Sequence, residues 1–164
     1  MKRLIVYVHG KGGSAQEAEH YKSLFPKDEV IGFDYHSQTP WEAKKEFLAF
    51  FTEQRGRCEH LTLVANSIGA FFTLSSLDET LVDRAYFISP ILDMENLICN
   101  MMQWSGVTEQ ELALTSIETV SAFAKLHHAD LTVIPGGEHW FHTDEQMQFL
   151  DKWIRERSLN DVCG

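Results

Sequence analysis

The chain has 164 residues, a formal net charge of −10 and a hydrophobic fraction of 44%, the size and make-up of one soluble globular domain with a real core. The negative charge excludes nucleic-acid phosphate and anionic membrane surfaces as partners, since binding either needs clustered Lys and Arg. Cys58, Cys99 and Cys163 are odd in number and lack C-x-x-C spacing, which fits free thiols in a reducing compartment. With no signal-peptide pattern and no apolar run of membrane-spanning length, the expected location is the cytoplasm.

Leu4 to Val8 is an apolar run that ends in His9-Gly10-Lys11-Gly12-Gly13-Ser14, a buried strand leading into a glycine-rich loop. Ser14 and Glu17 form a capping box, so a helix should begin near Ala15 and end before Pro26. Val30 to Tyr35 reads as a second strand. Thr39-Pro40-Trp41-Glu42 opens a helix twice over, with a Thr-x-x-Glu box and proline at the first helical position, and Gly56 is its stop. Leu61 to Ala65 is a third strand running into Asn66-Ser67-Ile68-Gly69, a small-x-Ser-x-Gly turn with Ala65 at its first position. A helix then runs to near Asp78.

Ala85 to Ser89 is a fourth strand closed by Pro90. Met94 to Trp104 and Ile117 to His127 look helical, and Thr108 with Glu111 offers another capping box. Leu131 to Ile134 is a fifth strand that ends in Pro135-Gly136-Gly137-Glu138-His139-Trp140. Thr143 and Gln146 open a last helix whose Met147, Leu150 and Ile154 face inward. Uninterrupted apolar strands alternating with helices predict an α/β fold. The architecture is three-layer αβα, with a mostly parallel sheet of about five strands. The whole is one domain over residues 1–158, with a loose tail over 159–164.

Three loops follow three of these strands and emerge at one sheet edge, the edge where ligands bind in parallel sheets. They carry the glycine run, Ser67 and His139, in that order. His-Gly-x-Gly-Gly after the first strand, Ala65-Asn66-Ser67-Ile68-Gly69 after a later one, and Gly-Gly-Glu-His-Trp-Phe-His before the last helix resemble the α/β-hydrolase fold over nearly the whole chain. The alanine-led elbow and the short length resemble small cap-less bacterial serine esterases and lipases. The resemblance implies acyl transfer on a small carboxylic ester, without a cofactor. Ser67 would be the nucleophile, His139 the general base, and the backbone N–H groups of Lys11 and Ile68 the oxyanion hole.

Competing readings attach to each residue. Ser67 could simply cap the following helix, and His139 could pack on Trp140, with His142, His127 and His128 as rival bases. His9 braces the glycine loop, and Glu138 is solvated. His36, Trp41, Trp140 and Phe141 flank loops at the active edge and are expected pocket walls. Metal-ligand spacings are absent, and the glycine loop fits neither G-x-G-x-x-G nor G-x-x-x-x-G-K-[ST].

The resemblance also calls for a carboxylate after the strand before the last one, and no β-branched apolar run lies between Pro90 and Leu131. Thr115 to Val120 resembles the helix that normally follows that acid, so a block holding strand and acid is expected to be missing, with the join near Leu112 to Thr115. In one outcome the last strand moves beside Ala85–Ser89 and Asp93 serves as the acid, although Asp93 equally suits the N-cap of a helix from Met94. In the other there is no acid, and the chain is an impaired, hydrolase-like binding module. Glu118 is a distant third candidate. Met101, Met102 and Trp104 pack in the core, line an acyl pocket, or form a homodimer contact.

Overall fold

A computed structural model describes residues 2–92, 117–137 and 141–159. Four parallel strands form one sheet: β1 (Arg3–Val8), β2 (Glu29–Phe33), β3 (His60–Asn66) and β4 (Arg84–Ile88), in the order β2-β1-β3-β4. The register pairs Val8 with Ala65 and Asn66 with Ile88, so the strand ends align at the C-terminal edge. The described helices are α1 (Ala18–Lys22, entered through a 3-10 turn at Ala15–Glu17), α2 (Pro40–Arg55), α3 (Ile68–Ser76), α4 (Ile117–Leu126) and α5 (Asp144–Leu159).

Alternation along the strands builds two core layers. Leu4, Val6, Val8, Leu61, Leu63 and Ala65 pack under α2 and α3 around Phe47, Phe51 and Phe72. Ile5, Tyr7, Val64, Tyr86 and Ile88 face the other way, against α1 and the Leu150 and Ile154 side chains of α5. Full burial of each large apolar side chain is worth about 1.5–3 kcal/mol, and Phe47, Phe51, Leu61 and Ile154 are fully buried. The α2 start is capped as its sequence implies. Thr39 Oγ1 accepts the Glu42 N–H, and the Glu42 carboxylate accepts the Thr39 N–H.

The fifth strand is the main departure. Residues 131–134 join no ladder, and the described sheet has four strands ending at β4. A cleft of about 830 Å3 runs along β4, with Val120, Leu131, Val133 and Trp153 among the residues facing it. The 131–134 segment is held to α5 instead, where Thr132 Oγ1 accepts the Trp153 Nε1–H at 2.8 Å. The expected move of this segment into a slot beside β4 therefore does not occur. Strand propensity at Leu131-Thr132-Val133-Ile134 is local, whereas a ladder needs an adjacent edge. The readings made on Met94–Trp104, Met101, Met102, Thr108, Glu111 and the join near Leu112–Thr115 lie outside the described residues. Among the described residues no helix is long and apolar enough to cross a membrane, and no cluster of His, Cys, Asp or Glu could hold a metal ion.

Asp83, in the turn before β4, fastens this end of the sheet. Its carboxylate accepts two hydrogen bonds from Arg55 at 2.5 and 3.1 Å and one from the Leu61 N–H at 2.7 Å. Partial burial pushes the carboxyl pKa up, but the Leu61 and Arg55 hydrogen bonds and the Arg55 charge outweigh it, and the net shift is downward. A carboxyl with a depressed folded pKa contributes stability above its unfolded pKa and loses it as pH falls through the folded value. Thermal unfolding of Asp83→Asn should therefore show a lower Tm at neutral pH and a shallower loss of Tm between about pH 5 and pH 3 than the parent. Parallel Tm-versus-pH curves for the two proteins would contradict this.

Candidate active site

The centre of the site is the turn from β3 into α3. Ser67 stands at φ 51°, ψ −118°, a region that L-residues other than glycine rarely occupy and that costs about 1–3 kcal/mol. The turn is held on three sides. The Ser67 N–H donates to Ile88 O at 2.9 Å, the Ala70 N–H donates to Ser67 O at 3.2 Å, and the Ile91 N–H donates to the same oxygen at 3.4 Å. The strain is thus imposed by β4 and by the first turn of α3. Ser89, directly after β4 at the same edge, also has a positive φ of 44°.

Glycine at position 69 is required by close approach. A Cβ there would lie 2.5 Å from His9 O and 3.0 Å from Val8 O. The start of α3 therefore rests directly on the end of β1, where the glycine-rich loop begins. Gly10 completes the contact, because a Cβ on it would be 3.3 Å from the Ser67 Cβ. The serine turn and the glycine loop are in van der Waals contact, although 57 positions separate Gly10 from Ser67 in the chain.

The loop is braced from below. His9 stacks on Tyr35 with ring centroids 4.4 Å apart, and its Nδ1–H donates to Gly10 O at 2.8 Å. The Tyr35 hydroxyl donates to His9 O at 3.0 Å. Lys11 is exposed on the loop, followed by Gly12 at φ 74°, and the Gly13 N–H closes the turn onto Gly10 O at 3.2 Å. Ile68, 5% exposed, heads α3, and the first N–H groups of a helix have no intrahelical partner.

These placements bring Ser67, Ile68 and the Lys11 loop together. His36 and Trp41 follow β2, which β1 separates from β3. The His36 side chain is 84% exposed and Trp41 is 67% exposed. The His36 and Ser37 N–H groups donate to the Glu46 carboxylate at 2.9 Å each, which ties this loop to α2. His139, Trp140 and Asp93 lie outside the described residues, as does Glu138. Their flanks are in place: a Pro135-Gly136 turn with Gly136 at φ 70°, the Gly137 N–H bonded to Ile134 O, and Phe141 packed on the α1–α5 side of the core. Among the rival histidines, His127 and His128 lie at the end of α4 and His142 just before α5, all exposed.

A parallel sheet with a strained serine turn between strand and helix, packed on a glycine loop from the first strand, is the geometry of a nucleophile elbow. Over 94% of its length the chain superposes on a carboxylesterase from Mesorhizobium loti, with a TM-score of 0.65 and 15% identity, covering 88% of that protein. The chain has an α/β-hydrolase-like fold, in a shortened form. It is similarly like an uncharacterized protein from Bacillus cereus, with a TM-score of 0.63 and 17% identity over 94% of this chain, but spans only 60% of that longer protein. No protein-family model matches the chain, and no curated protein shows significant sequence similarity to it.

Sequence reasoning passed over one group of residues here. Tyr7 read as strand core, Glu17 as a cap and Asn66 as the variable position of the serine motif, yet the three side chains meet beneath the loop.

Proposed function

We propose that the protein is a serine hydrolase that cleaves a small carboxylic ester through an acyl-enzyme on Ser67. The observation that carries this reading is the backbone of Ser67, a non-glycine residue held at φ 51°, ψ −118° against the glycine loop. Strain of this kind lifts the serine oxygen clear of the sheet edge, and backbone strain clusters at active sites.

In the reaction Ser67 Oγ attacks the ester carbonyl carbon while His139 accepts the hydroxyl proton. The N–H groups of Ile68 and Lys11 hold the negative oxygen of the tetrahedral intermediate, a contribution on the order of 10²–10³ in rate for each donor. The carbon–oxygen bond to the alcohol then breaks, and His139 returns the proton to the leaving oxygen. Water, deprotonated by His139, repeats the sequence to release the acid. Asp93 is the carboxylate that holds the His139 tautomer. In the sequence it comes two positions after Ile91, whose N–H bonds the serine turn. Asp93→Asn should lower turnover by on the order of 10⁴-fold, and turnover within about tenfold of the parent would remove Asp93 from the relay. The net charge of −10 and the unpaired spacing of three cysteines support a small-molecule substrate and a reducing, cytoplasmic setting.

Steady-state turnover of p-nitrophenyl esters of graded acyl length, with Ser67→Ala beside the parent, tests the proposal. Saturable hydrolysis that Ser67→Ala abolishes is the expected outcome, and equal rates in both proteins would sink it.

A second reading is favoured by one feature, the end of the sheet at β4, beside which no further strand lies among the described residues. A chain that lacks both the strand and the acid behind it would be a non-catalytic, hydrolase-like binding module. Stoichiometric ester binding without turnover separates this reading from the first.

A further inference from the structure

Tyr7 lies near the end of β1 and is 2% exposed. Its ring stacks on Tyr21 at 4.9 Å, an ordinary core contact. Its hydroxyl is in an unusual place for a strand residue, between two loops of the candidate active site. It donates to Glu17 Oε2 at 2.5 Å, and the Asn66 side chain lies near enough to act on it. The other oxygen of Glu17 accepts the Ser14 N–H at 3.1 Å. The Glu17 carboxylate lies across Gly13 so closely that a Cβ on that glycine would be 2.6 Å from Oε1. Asn66 immediately precedes Ser67, and its Nδ2 is 3.8 Å from the Cβ position of Gly10.

Hydrogen bonds thus link Tyr7 through Glu17 to Ser14, with the Asn66 side chain beside the Tyr7 end. One end lies at the serine turn and the other at the glycine loop. Burial, then the neighbouring Tyr21 and the Glu17 carboxylate, push the Tyr7 phenol well above its ordinary pKa, so it stays protonated and remains a donor. Three glycines between positions 10 and 13 make the loop costly to order, and linked hydrogen bonds, part-buried where Tyr7 meets Glu17, are a means of holding such a loop in one arrangement.

We propose that Tyr7 is a positioning residue, which with Asn66 and Glu17 fixes the glycine-rich loop against the serine turn and so sets the Lys11 N–H relative to Ser67 Oγ. This rests on the reading of Ser67 as nucleophile. Misplacing an oxyanion donor by about 1 Å costs up to about 10²-fold in rate. Tyr7→Phe keeps the stacked ring and deletes the shared hydroxyl. Asn66→Ala removes the side chain that lies beside the Tyr7 hydroxyl and Gly10, at a residue that is only partly buried.

The test has two readouts on the parent, both single variants and the double variant. In p-nitrophenyl ester turnover, each single variant should lower kcat by roughly 10–100-fold with KM within about twofold, and the double variant should lose no more than the worse single one, since both act at the Tyr7 hydroxyl. In hydrogen–deuterium exchange, Asn66→Ala should raise exchange across residues 9–17, more than 45 positions away in sequence, with Tm nearly unchanged. Unchanged exchange in that segment would overturn the proposal whether or not the parent is an enzyme. Additive losses in kcat would overturn it as well, because independent packing defects add. Parent protein without turnover would defeat the reading of Ser67, and the exchange result would still decide whether the network holds the loop. Where Tyr7→Phe fails to fold, Asn66→Ala alone decides by the same exchange criterion.

Discussion

Ser67→Ala should lose ester turnover by on the order of 10⁴-fold or more and unfold at nearly the parent temperature, whereas Ser67→Gly should be equally inactive and measurably more stable. The difference follows from the backbone. Alanine at φ 51°, ψ −118° inherits the strain of serine, since the clash comes from the Cβ that both carry. Glycine relieves it, and the strain released is worth about 1–3 kcal/mol, less the entropy glycine adds to the unfolded chain, about 0.5–1 kcal/mol. At roughly 2–4 °C per kcal/mol for a chain of this length, the Tm of Ser67→Gly should rise by a few degrees. Stability gained by removing a catalytic side chain is the expected sign for a residue held in place for chemistry. A Tm for Ser67→Gly below that of the parent would mean that the turn is not strained as described.

The second large effect concerns Gly69. Gly69→Ala should destabilise the protein by about 1–3 kcal/mol and reduce turnover beyond what the loss of folded protein explains. The added methyl carbon would meet His9 O at 2.5 Å and Val8 O at 3.0 Å, with Val8 Cγ1 at 2.9 Å. Two of these are backbone oxygens at the end of the central strand and cannot rotate away. Relief must come from moving α3 off β1, which would also separate Ser67 from the glycine loop. Gly56→Ala is the matching control. Gly56 is at φ −65° with only ordinary contacts, 3.4 Å to Glu53 O and 3.7 Å to Thr52 O, and alanine there should be neutral or stabilising by up to about 1 kcal/mol. Denaturant melts of both variants measure the contrast. A Gly69→Ala midpoint equal to that of the parent would contradict the close approach.

How far the sequence could be read depended on whether the signal was local. The strands at Leu4–Val8 and Leu61–Ala65 announced themselves as apolar runs, and their central positions in the sheet explain why, since both faces are covered by helices. The start of α2 was legible because Thr39, Pro40 and Glu42 each act within one helical turn. Leu131–Ile134 carried the same local signal and forms no strand, because pairing depends on what lies beside it and the nearest edge is across a cleft. At the site, the Ser-x-Gly spacing predicted the turn, and the contact of Gly69 with His9 O gives the spacing its physical reason. The Tyr7–Glu17–Asn66 group left no signal, since a tyrosine in a strand reads as core and its neighbours lie 10 and 59 positions away. Asp83 was unreadable for the same reason, with its partners Arg55 and Leu61 supplied by two other elements. His36 and Trp41 were placed near the site by their loop, and the Glu46 carboxylate that ties this loop to α2 had no local signal.

The claim on which the proposed function depends is that Ser67 is an activated nucleophile. A fluorophosphonate probe, which phosphonylates activated serines, addresses it directly, with intact mass for stoichiometry and peptide mapping for position. The expected result is one adduct per chain, mapped to Ser67, formed by the folded parent and absent from Ser67→Ala. Folded parent protein that gains no adduct, or an adduct that persists in Ser67→Ala, would contradict it.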